Sequence, residues 1–362
     1  SDVCSSDLAV NEARRQGIYI DNAYDYVDRW ETVVESNIGV TAKLLQNSLS
    51  LDVDYYRRDT KDLVLTVLLP GQREVVRRNG GQVRNSGLEA AVSYSGKLTS
   101  EIGYSVGANI TTLKNEVIDL RGQSYLNAGM AEFLQRSIPG QPINAFYGFE
   151  VEGVFQNQEE IANSGYSSGF ISEKSLVPGD FRFKDQNKDG VIDAKDRVVL
   201  GKIMPDFMFG FNFAVNWKGF ELSANFQGVT GNSILNRKRG QLIFQPDANI
   251  DAELATHLWH GEGTGNKYPS AAGLRKSWNL QMSDHFVESG NYFRIQNVRL
   301  SYKIASKEIL GIPMPETRVT FTAERPVTVF NYNGFNPEVA NGYDEQTYPI
   351  PAVYTLGLNL KF

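Results

Sequence analysis

The stretch that decides the fold occupies positions 207–227 and reads FMFGFNFAVNWKGFELSANFQ. From Phe207 to Trp217 every odd position carries a large apolar side chain, whereas the even positions carry Met, Gly, Asn and Ala. After Lys218 and Gly219 the alternation resumes and continues to Phe226. Because successive side chains of a strand point to opposite faces, this pattern predicts two strands joined by a tight turn, with one apolar face and one largely polar face.

The same alternation recurs along the chain. It is found at positions 38–44, 49–55, 88–94, 102–110, 298–304, 319–323 and 354–362. A soluble β-sandwich also has one dry face, but it rarely sustains such aromatic stripes over so many strands of about ten residues. We therefore expect an all-β fold, a large antiparallel transmembrane β-barrel.

Composition agrees with this expectation and excludes some functions. Hydrophobic residues make up 41% of the chain, the mean hydropathy is −0.33, and no run of eighteen apolar residues predicts a transmembrane helix. The formal net charge is −6 and the isoelectric point is about 5.3, with no basic block. Nucleic acid is therefore not an expected partner.

The last nine residues are a strand that ends on an aromatic side chain. Large apolar residues at every second position form its predicted lipid face: Tyr354, Leu356, Leu358, Leu360 and Phe362. Such an ending resembles the signal by which outer-membrane barrels are recognised for insertion. It implies two partners, the barrel assembly machinery and the lipid bilayer, and it places the C-terminus in the periplasm.

Residues 1–8 read SDVCSSDL and can be back-translated into the end of a common sequencing-library adapter. Our hypothesis is that this octapeptide is an assembly artefact and that the barrel sequence occupies residues 9–362. The single cysteine, Cys4, then carries no thiol or disulfide chemistry. No secretory signal opens the chain, so we expect the export signal to lie upstream of the present sequence.

Short and long connections alternate along the chain, as in barrels with short periplasmic turns and long extracellular loops. Successive strands cross the membrane in opposite directions. If the C-terminus is periplasmic, counting the strands back from it places the connections 118–205, 231–291 and 331–347 outside the cell. The strand-like run at 146–155 would invert this parity if it crossed the membrane, so we assign it to the extracellular excursion 118–205, paired with residues 181–184. With a weak strand near 18–23, the chain supplies about ten strands.

Several motifs, in this order along the chain, resemble the SusC/RagA family of TonB-linked outer-membrane transporters. They are VDYY at 53–56, TKDL at 60–63, NSGLE at 85–89, FYGF at 146–149, GDFRFKDQNKDGVID at 179–193, FQGVTGN at 226–232, YFRIQNV at 292–298 and GFNPE at 334–338. The resemblance covers nearly all of the chain after the octapeptide. Each motif is modest, but the order in which they occur is highly specific.

The resemblance implies a 22-stranded barrel plugged by an N-terminal domain, with this chain holding about the last ten strands. It also implies import of a nutrient, a glycan oligosaccharide or a peptide, together with a SusD-like surface lipoprotein and with TonB. No catalytic Ser-His-Asp set or phosphate-binding loop is found, so an enzyme is not expected. Two alternatives stay open. One is a β-rich extracellular carbohydrate-binding protein without transport activity. The other is a non-specific porin, which the long outer loops make less favoured.

Residues 185–196 match a twelve-residue calcium loop, with Gly190 at the sharp turn. Alternate residues of such a tight loop direct hard oxygen ligands inward. The predicted ligands are the side chains of Asp185, Asn187, Asp189, Asp193 and Asp196 and the carbonyl of Val191. The usual last ligand is a Glu, and Asp196 is shorter, so a polar turn without an ion is the competing interpretation. Asp180 lies outside the loop, so we expect Asp189→Ala, but not Asp180→Ala, to mimic removal of the ion.

Aromatic residues are concentrated in another long predicted loop, residues 231–291. Trp259, Tyr268 and Trp278 are candidate substrate-binding residues, because aromatic rings stack on sugar rings. The competing interpretation is that these rings pack the loop against itself or against a partner protein.

Overall fold

The computed structural model describes residues 5–10, 13–18, 27, 29–68, 75–129, 133–164, 166–168, 176–236, 252–274, 276–305, 307–309, 312–345 and 347–361. Nine long strands form one antiparallel sheet. They are β1 Thr32–Leu44, β2 Leu49–Leu68, β3 Val75–Lys97, β4 Ile102–Thr112, β5 Phe207–Trp217, β6 Phe220–Thr230, β7 Tyr292–Ile304, β8 Glu316–Phe330 and β9 Val353–Lys361. Each strand pairs with its neighbours in chain order, which is the topology of an up-and-down barrel wall.

The register of this sheet aligns the apolar positions of neighbouring strands. One row runs from Val215 through Leu222, Leu300 and Phe321 to Leu356. The last four of these side chains are exposed, Leu356 by 77%. A continuous exposed apolar face of this kind is unfavourable in water and suits contact with lipid.

The opposite face of the same strands is polar. Asn212 lies beside Asn225, which lies beside Asn297, and the side-chain amide of Asn225 donates to the Asn297 oxygen at 2.9 Å. The period-2 alternation read from the sequence is therefore confirmed, with its apolar side chains on one face of the sheet and its polar side chains on the other.

β2 and β3 are longer than predicted, since the alternation indicated only residues 49–55 and 88–94. Beyond Tyr55 the strands continue through polar and charged residues, held by the Asp59–Arg84 ion pair at 2.7 Å. The register shifts beside Asp62, which has a positive φ of 56°. The short strand Lys114–Asp119 pairs with this extension of β3. Period-2 hydrophobicity cannot detect the charged stretch 56–62, and the largely apolar residues 63–68 follow a register shift that interrupts the alternation.

The predicted strand near residues 18–23 falls mostly on residues outside the described ranges. Ala13–Ile18 pairs with Ser5–Val10 in a separate two-stranded sheet. The tenth member of the main sheet is instead Lys114–Asp119. The hypothesis that residues 1–8 are an artefact stays a prediction. Within the described ranges, β1 and β9 each have one neighbouring strand, so the sheet is a segment of barrel wall with two edges.

Short connections lie at one end of the sheet, as predicted. Residues 45–48, 98–101 and 218–219 form three of them, and the fourth contains a small hairpin of Lys307–Ile309 with Ile312–Met314. The positive φ angles of Lys218 and Gly219, 45° and 89°, suit a two-residue hairpin turn. The long connections all leave from the opposite end.

We call the long connections, residues 113–206, 231–291 and 331–352, the loop assembly. Its helices are α1 Gln158–Asn163 and α2 Ala252–His257, with 3₁₀ turns at Ala194–Asp196, Asp284–Phe286 and Ala340–Gly342. Its strands are Lys114–Asp119, Leu126–Gly129, Leu134–Ser137, Ala145–Gly148, Val151–Val154, Ser167–Ser168, Phe181–Phe183, Val191–Ile192, Val198–Gly201, Ser233–Asn236, Leu258–Trp259, Tyr268–Ser270, Val287–Ser289 and Tyr343–Asp344. Of the helices described, none has the length and apolar character needed to cross a membrane.

The strand-like run at 146–155 belongs to the loop assembly, as predicted, but it forms two strands. Ala145–Gly148 pairs with Leu134–Ser137 and Val198–Gly201. Val151–Val154 pairs with Phe181–Phe183, which confirms the predicted partner. Between them the backbone of Phe149 accepts from Asp284 and donates to Met282, so the run is divided by contact with the second long connection.

The face assignment predicts different effects of a carboxylate at adjacent positions. In the full-length membrane protein, Phe211→Asp places a charge toward lipid and should cost roughly 2 kcal/mol near mid-membrane. Asn212→Asp lies on the polar face and should be nearly neutral. The measurement is the fraction of protein that reaches the outer membrane as a heat-modifiable band. Equal tolerance at both positions would show that the two faces are wrongly assigned.

Candidate functional site

The loop assembly has an aromatic core of its own. Its fully buried members are Phe149, Phe155, Phe181, Phe183, Ile192 and Trp278. The ring of Phe183 lies between those of Phe149 and Trp278, with centroid distances of 5.0 Å to each. Short strands bury little area each, and large rings compensate for this by burying more area per residue. The core gives the polar surface groups of the assembly a rigid base.

Asp180 ties the first long connection to the second. Its carboxylate is fully buried and accepts hydrogen bonds from the Val177 amide and the Asn279 side chain, both at 2.9 Å, and it pairs with Lys276. Asn279 also accepts from the Phe181 amide at 2.7 Å. Asp180 is thus a structural centre, because its buried carboxylate holds three donors. That Asp180→Ala does not mimic removal of an ion from the calcium-type loop stays a prediction.

The calcium-type loop directs several of its predicted ligands inward. Asp185 accepts from the amides of Lys188 and Gly190 at 2.6 and 2.8 Å, and the Asn187 oxygen accepts from the Asp189 amide at 3.0 Å. These hydrogen bonds hold the side-chain oxygens of Asp185 and Asn187 toward the loop. A carboxylate has about four lone-pair sites and an amide oxygen two, so both side chains can accept further contacts, including a cation. A hydrogen bond from the Val191 amide is the main cause of a lowered pKa at Asp189, which keeps this carboxylate ionised.

Groups of the chain itself contact the other carboxylates of the loop. The Lys195 ammonium lies 3.7 Å from Asp189 and 3.6 Å from Asp193. Asp196 is fully buried and accepts from the Gln186 and Asp193 amides at 3.0 and 2.8 Å, so it closes the loop by itself. Within the described ranges, His, Cys, Asp and Glu side chains form no group of three placed to hold a metal ion.

The predicted substrate-binding aromatics are packing residues in this structure. Trp278 is fully buried and donates from its indole to the Phe181 carbonyl at 2.7 Å. Tyr268 is 1% exposed and its hydroxyl donates to Glu253 at 2.5 Å. Trp259 is half-buried against the aromatic core. Tyr268 and Trp278 therefore present no free ring face to a sugar, and the competing interpretation of loop packing is correct for them.

All three long connections converge on a cavity of about 450 Å³. It is lined by Val151, Glu152, Gly153, Glu253, Asn266, Lys267, Asp284, His285, Val287, Glu288, Asn331 and Asn333. A second cavity of about 610 Å³ lies beside α1 and the calcium-type loop. Carboxylates, amides and a few cations line both cavities, which suits hydrogen bonding to a hydroxyl-rich or peptide ligand.

Sequence reasoning missed an arginine-centred cluster on the small sheet of the first long connection. The Arg136 guanidinium lies 3.8 Å from the ring centroid of Tyr125 and 4.0 Å from that of Tyr147. Arg197 comes directly before the strand Val198–Gly201, whose Val199 pairs with Tyr147, and the charge of Arg136 lowers the pKa of Arg197. The four residues are spread over more than seventy positions, and no local spacing signals that they meet.

The predicted insertion strand is present, and its apolar residues project from one face. Tyr354, Leu356, Leu358 and Leu360 are 63%, 77%, 66% and 44% exposed. Phe362 lies outside the described residues. Nothing tests the recognition of this strand by the insertion machinery, which stays a prediction.

A long antiparallel sheet with one exposed apolar face, one polar face and a large loop assembly at one end defines a segment of a transmembrane β-barrel. A family model described as "TonB dependent receptor-like, beta-barrel" matches residues 11–324. The chain belongs to this family of TonB-dependent receptor β-barrels, which are outer-membrane proteins.

Individual relatives are named in the same terms. TonB-dependent receptor P26 of Formosa agariphila is 28% identical over 351 residues, covering 92% of this chain and 35% of that protein. TonB-dependent receptor SusC of Bacteroides thetaiotaomicron is 24% identical, covering 92% and 32%. The RagAB peptide transporter structure superposes with a TM-score of 0.74 at 21% identity, covering all of this chain and 38% of that one. The chain thus spans about a third of the length of the curated relatives.

The buried position of Asp180 predicts a large effect of its removal. Asp180→Ala leaves three donors without their acceptor, and we expect it to destabilise the loop assembly by about 3 kcal/mol. Hydrogen exchange of residues 176–183 and 276–282 in the intact protein measures this opening. Lys184→Gln, which breaks a half-exposed pair with Glu150, is the control and should cost under about 1 kcal/mol. Similar protection in both variants would contradict the role assigned to Asp180.

Proposed function

We propose that the full-length protein imports a nutrient across the outer membrane by TonB-dependent transport. The observation that carries the proposal is the match of residues 11–324 to the receptor barrel family. The alternation of an apolar face and an amide-lined face in the main sheet supports it, because a barrel wall of this kind separates lipid from a polar interior. Wide barrels of this class hold a plug, and TonB is the expected source of its release.

We further propose that the loop assembly faces the cell exterior and contacts a SusD-like lipoprotein. The support is the resemblance to SusC and to RagAB, and RagAB is a peptide importer. The cargo is a glycan oligosaccharide or a peptide. The cavity of about 450 Å³ on the loop assembly, lined by residues of all three long connections, is where we expect the cargo to make contact.

Deletion and complementation test the transport proposal. A strain lacking the gene should fail to grow on the cargo glycan or peptide, and the full-length gene should restore growth only in cells with a working TonB system. Sequencing of the neighbouring genes would guide the choice of carbon sources, since any hydrolases encoded there would indicate the cargo. Growth that is restored equally without TonB would reject energy-coupled import. A freely soluble full-length product would favour the carbohydrate-binding alternative.

We also propose that residues 185–196 bind Ca²⁺, with the cation taking over the charge neutralisation that Lys195 provides here. The ligands would be those predicted, since Asp185, Asn187 and Asp189 already direct oxygens into the loop. Asp196 would have to exchange at least one of its two backbone hydrogen bonds for the ion. An extracellular site needs an affinity of only about 10⁻⁴ to 10⁻³ M.

Chelation tests the calcium proposal. In the intact protein at millimolar Ca²⁺, adding chelator should speed proteolysis between residues 179 and 201, because unneutralised carboxylates repel one another. Asp189→Ala should mimic chelation, and Lys195→Gln should make the loop more sensitive to it. Glu159→Gln removes an exposed charge from α1 and serves as the control. If chelator leaves cleavage unchanged in the wild type and in Lys195→Gln, the loop is a polar turn.

A further inference from the structure

A small four-stranded sheet in the first long connection has two unlike faces. Its strands lie in the order Val198–Gly201, Ala145–Gly148, Leu134–Ser137, Leu126–Gly129. The face that carries Phe146 is buried in the core. Arg136 lies opposite Asn127 on one side and Ala145 on the other, so these residues share the face that does not carry Phe146. We call it the outward face, because Asn127 is exposed and Arg136 partly exposed there, although Ala145 is buried.

Arg136 is held in a defined position on this outward face. The rings of Tyr125 and Tyr147 lie on its guanidinium at 3.8 and 4.0 Å, and its Nε donates to the Asn127 side-chain oxygen at 3.0 Å. Stacking of this kind fixes a side chain that is otherwise flexible and leaves the edge of the guanidinium for hydrogen bonding. No Asp or Glu in the described part of the chain forms an ion pair with Arg136, and no acceptor there binds its Nη groups.

A second guanidinium adds positive charge beside the first. Arg197 is half-buried, with its Cζ 5.1 Å from the Phe149 ring centroid, and it donates to the Gln281 oxygen at 3.4 Å. Burial lowers the pKa of Arg197, and the charge of Arg136 lowers it further. Because no Asp or Glu in the described part of the chain forms an ion pair with Arg136, an oxyanion is the ligand that its guanidinium favours.

We propose that the outward face of this sheet binds the carboxylate or sulfate group of an acidic oligosaccharide. The proposal rests on the proposed import function, and it names the chemical class of the cargo. The edge of the Arg136 guanidinium matches an oxyanion with two parallel hydrogen bonds. The side chains of Asn127 and Gln281 offer neutral hydrogen-bonding groups for sugar hydroxyls. Tyr125 is 42% exposed, so its ring is open to a neighbouring sugar ring.

Direct binding to the purified full-length protein tests this site. Calorimetry would compare three saccharides of equal length: an oligogalacturonate, a sulfated galactan oligosaccharide and a neutral galactan oligosaccharide. At least one acidic saccharide should bind about ten-fold or more tightly than the neutral one, which corresponds to one charge-assisted contact. Raising the salt concentration should reduce this difference.

Substitutions test whether Arg136 is responsible for the tighter binding of acidic saccharides. Arg136→Gln should weaken binding of the acidic saccharide about ten-fold or more and leave the neutral one unchanged. Arg136→Lys keeps the charge but loses the paired donors, so its affinity should be intermediate. Lys114→Gln removes a positive charge from a side chain that is 71% exposed and not on this face, and it should have no effect. A heat-modifiable band for every variant verifies that the barrel is folded.

Several results would overturn the proposal. They are equal affinity for acidic and neutral saccharides, unchanged acidic affinity in Arg136→Gln, and Arg136-dependent binding of an acidic peptide with no saccharide bound. Loss of a co-purifying lipoprotein in Arg136→Gln, with saccharide affinity intact, would make this face a protein interface instead. If Arg136-dependent binding is measured but uptake is independent of TonB, the import function fails and the binding site stands.

Discussion

The structure depends on one constraint, that every backbone hydrogen-bonding group of a strand in lipid must find a partner on a neighbouring strand. The nine long strands meet it by pairing in chain order, and their register also aligns the apolar side chains on one face. A shift of a single residue would move every apolar side chain of that strand to the wrong face. The long connections can therefore leave the sheet only at strand ends.

The loop assembly is stabilised differently, since its strands are short and, apart from Lys114–Asp119, lie outside the main sheet. It is held together by a compact set of buried aromatic rings and by the buried Asp180 carboxylate, which joins residues nearly a hundred positions apart. Polar groups on its surface are thereby fixed relative to one another. Binding residues placed on such a base lose little side-chain entropy when they contact a ligand.

Charges on the loop assembly are divided between separate surfaces. Carboxylates dominate the calcium-type loop and the two cavities, and within that loop Lys195 balances part of the charge. The arginine-centred cluster is on the outward face of a different sheet. This separation allows one surface to attract an anion while another attracts a cation, and it excludes neither a glycan nor a peptide from the cavities.

The alternation at 207–227 and its repeats determined the all-β fold, the strand positions and the two faces, because side-chain direction in a strand follows from position in the chain alone. The alternation of short and long connections likewise led to the predicted pairing of 181–184 with the 146–155 run, since that run could not cross the membrane without inverting the connections before it. Only the tertiary structure decided that Tyr268 and Trp278 are core residues, that Asp180 is a buried centre and that Arg136 lies between two tyrosine rings. Which side chains are buried, and which residues about a hundred positions apart come into contact, depends on how separate loops pack together. The local sequence pattern does not predict that packing.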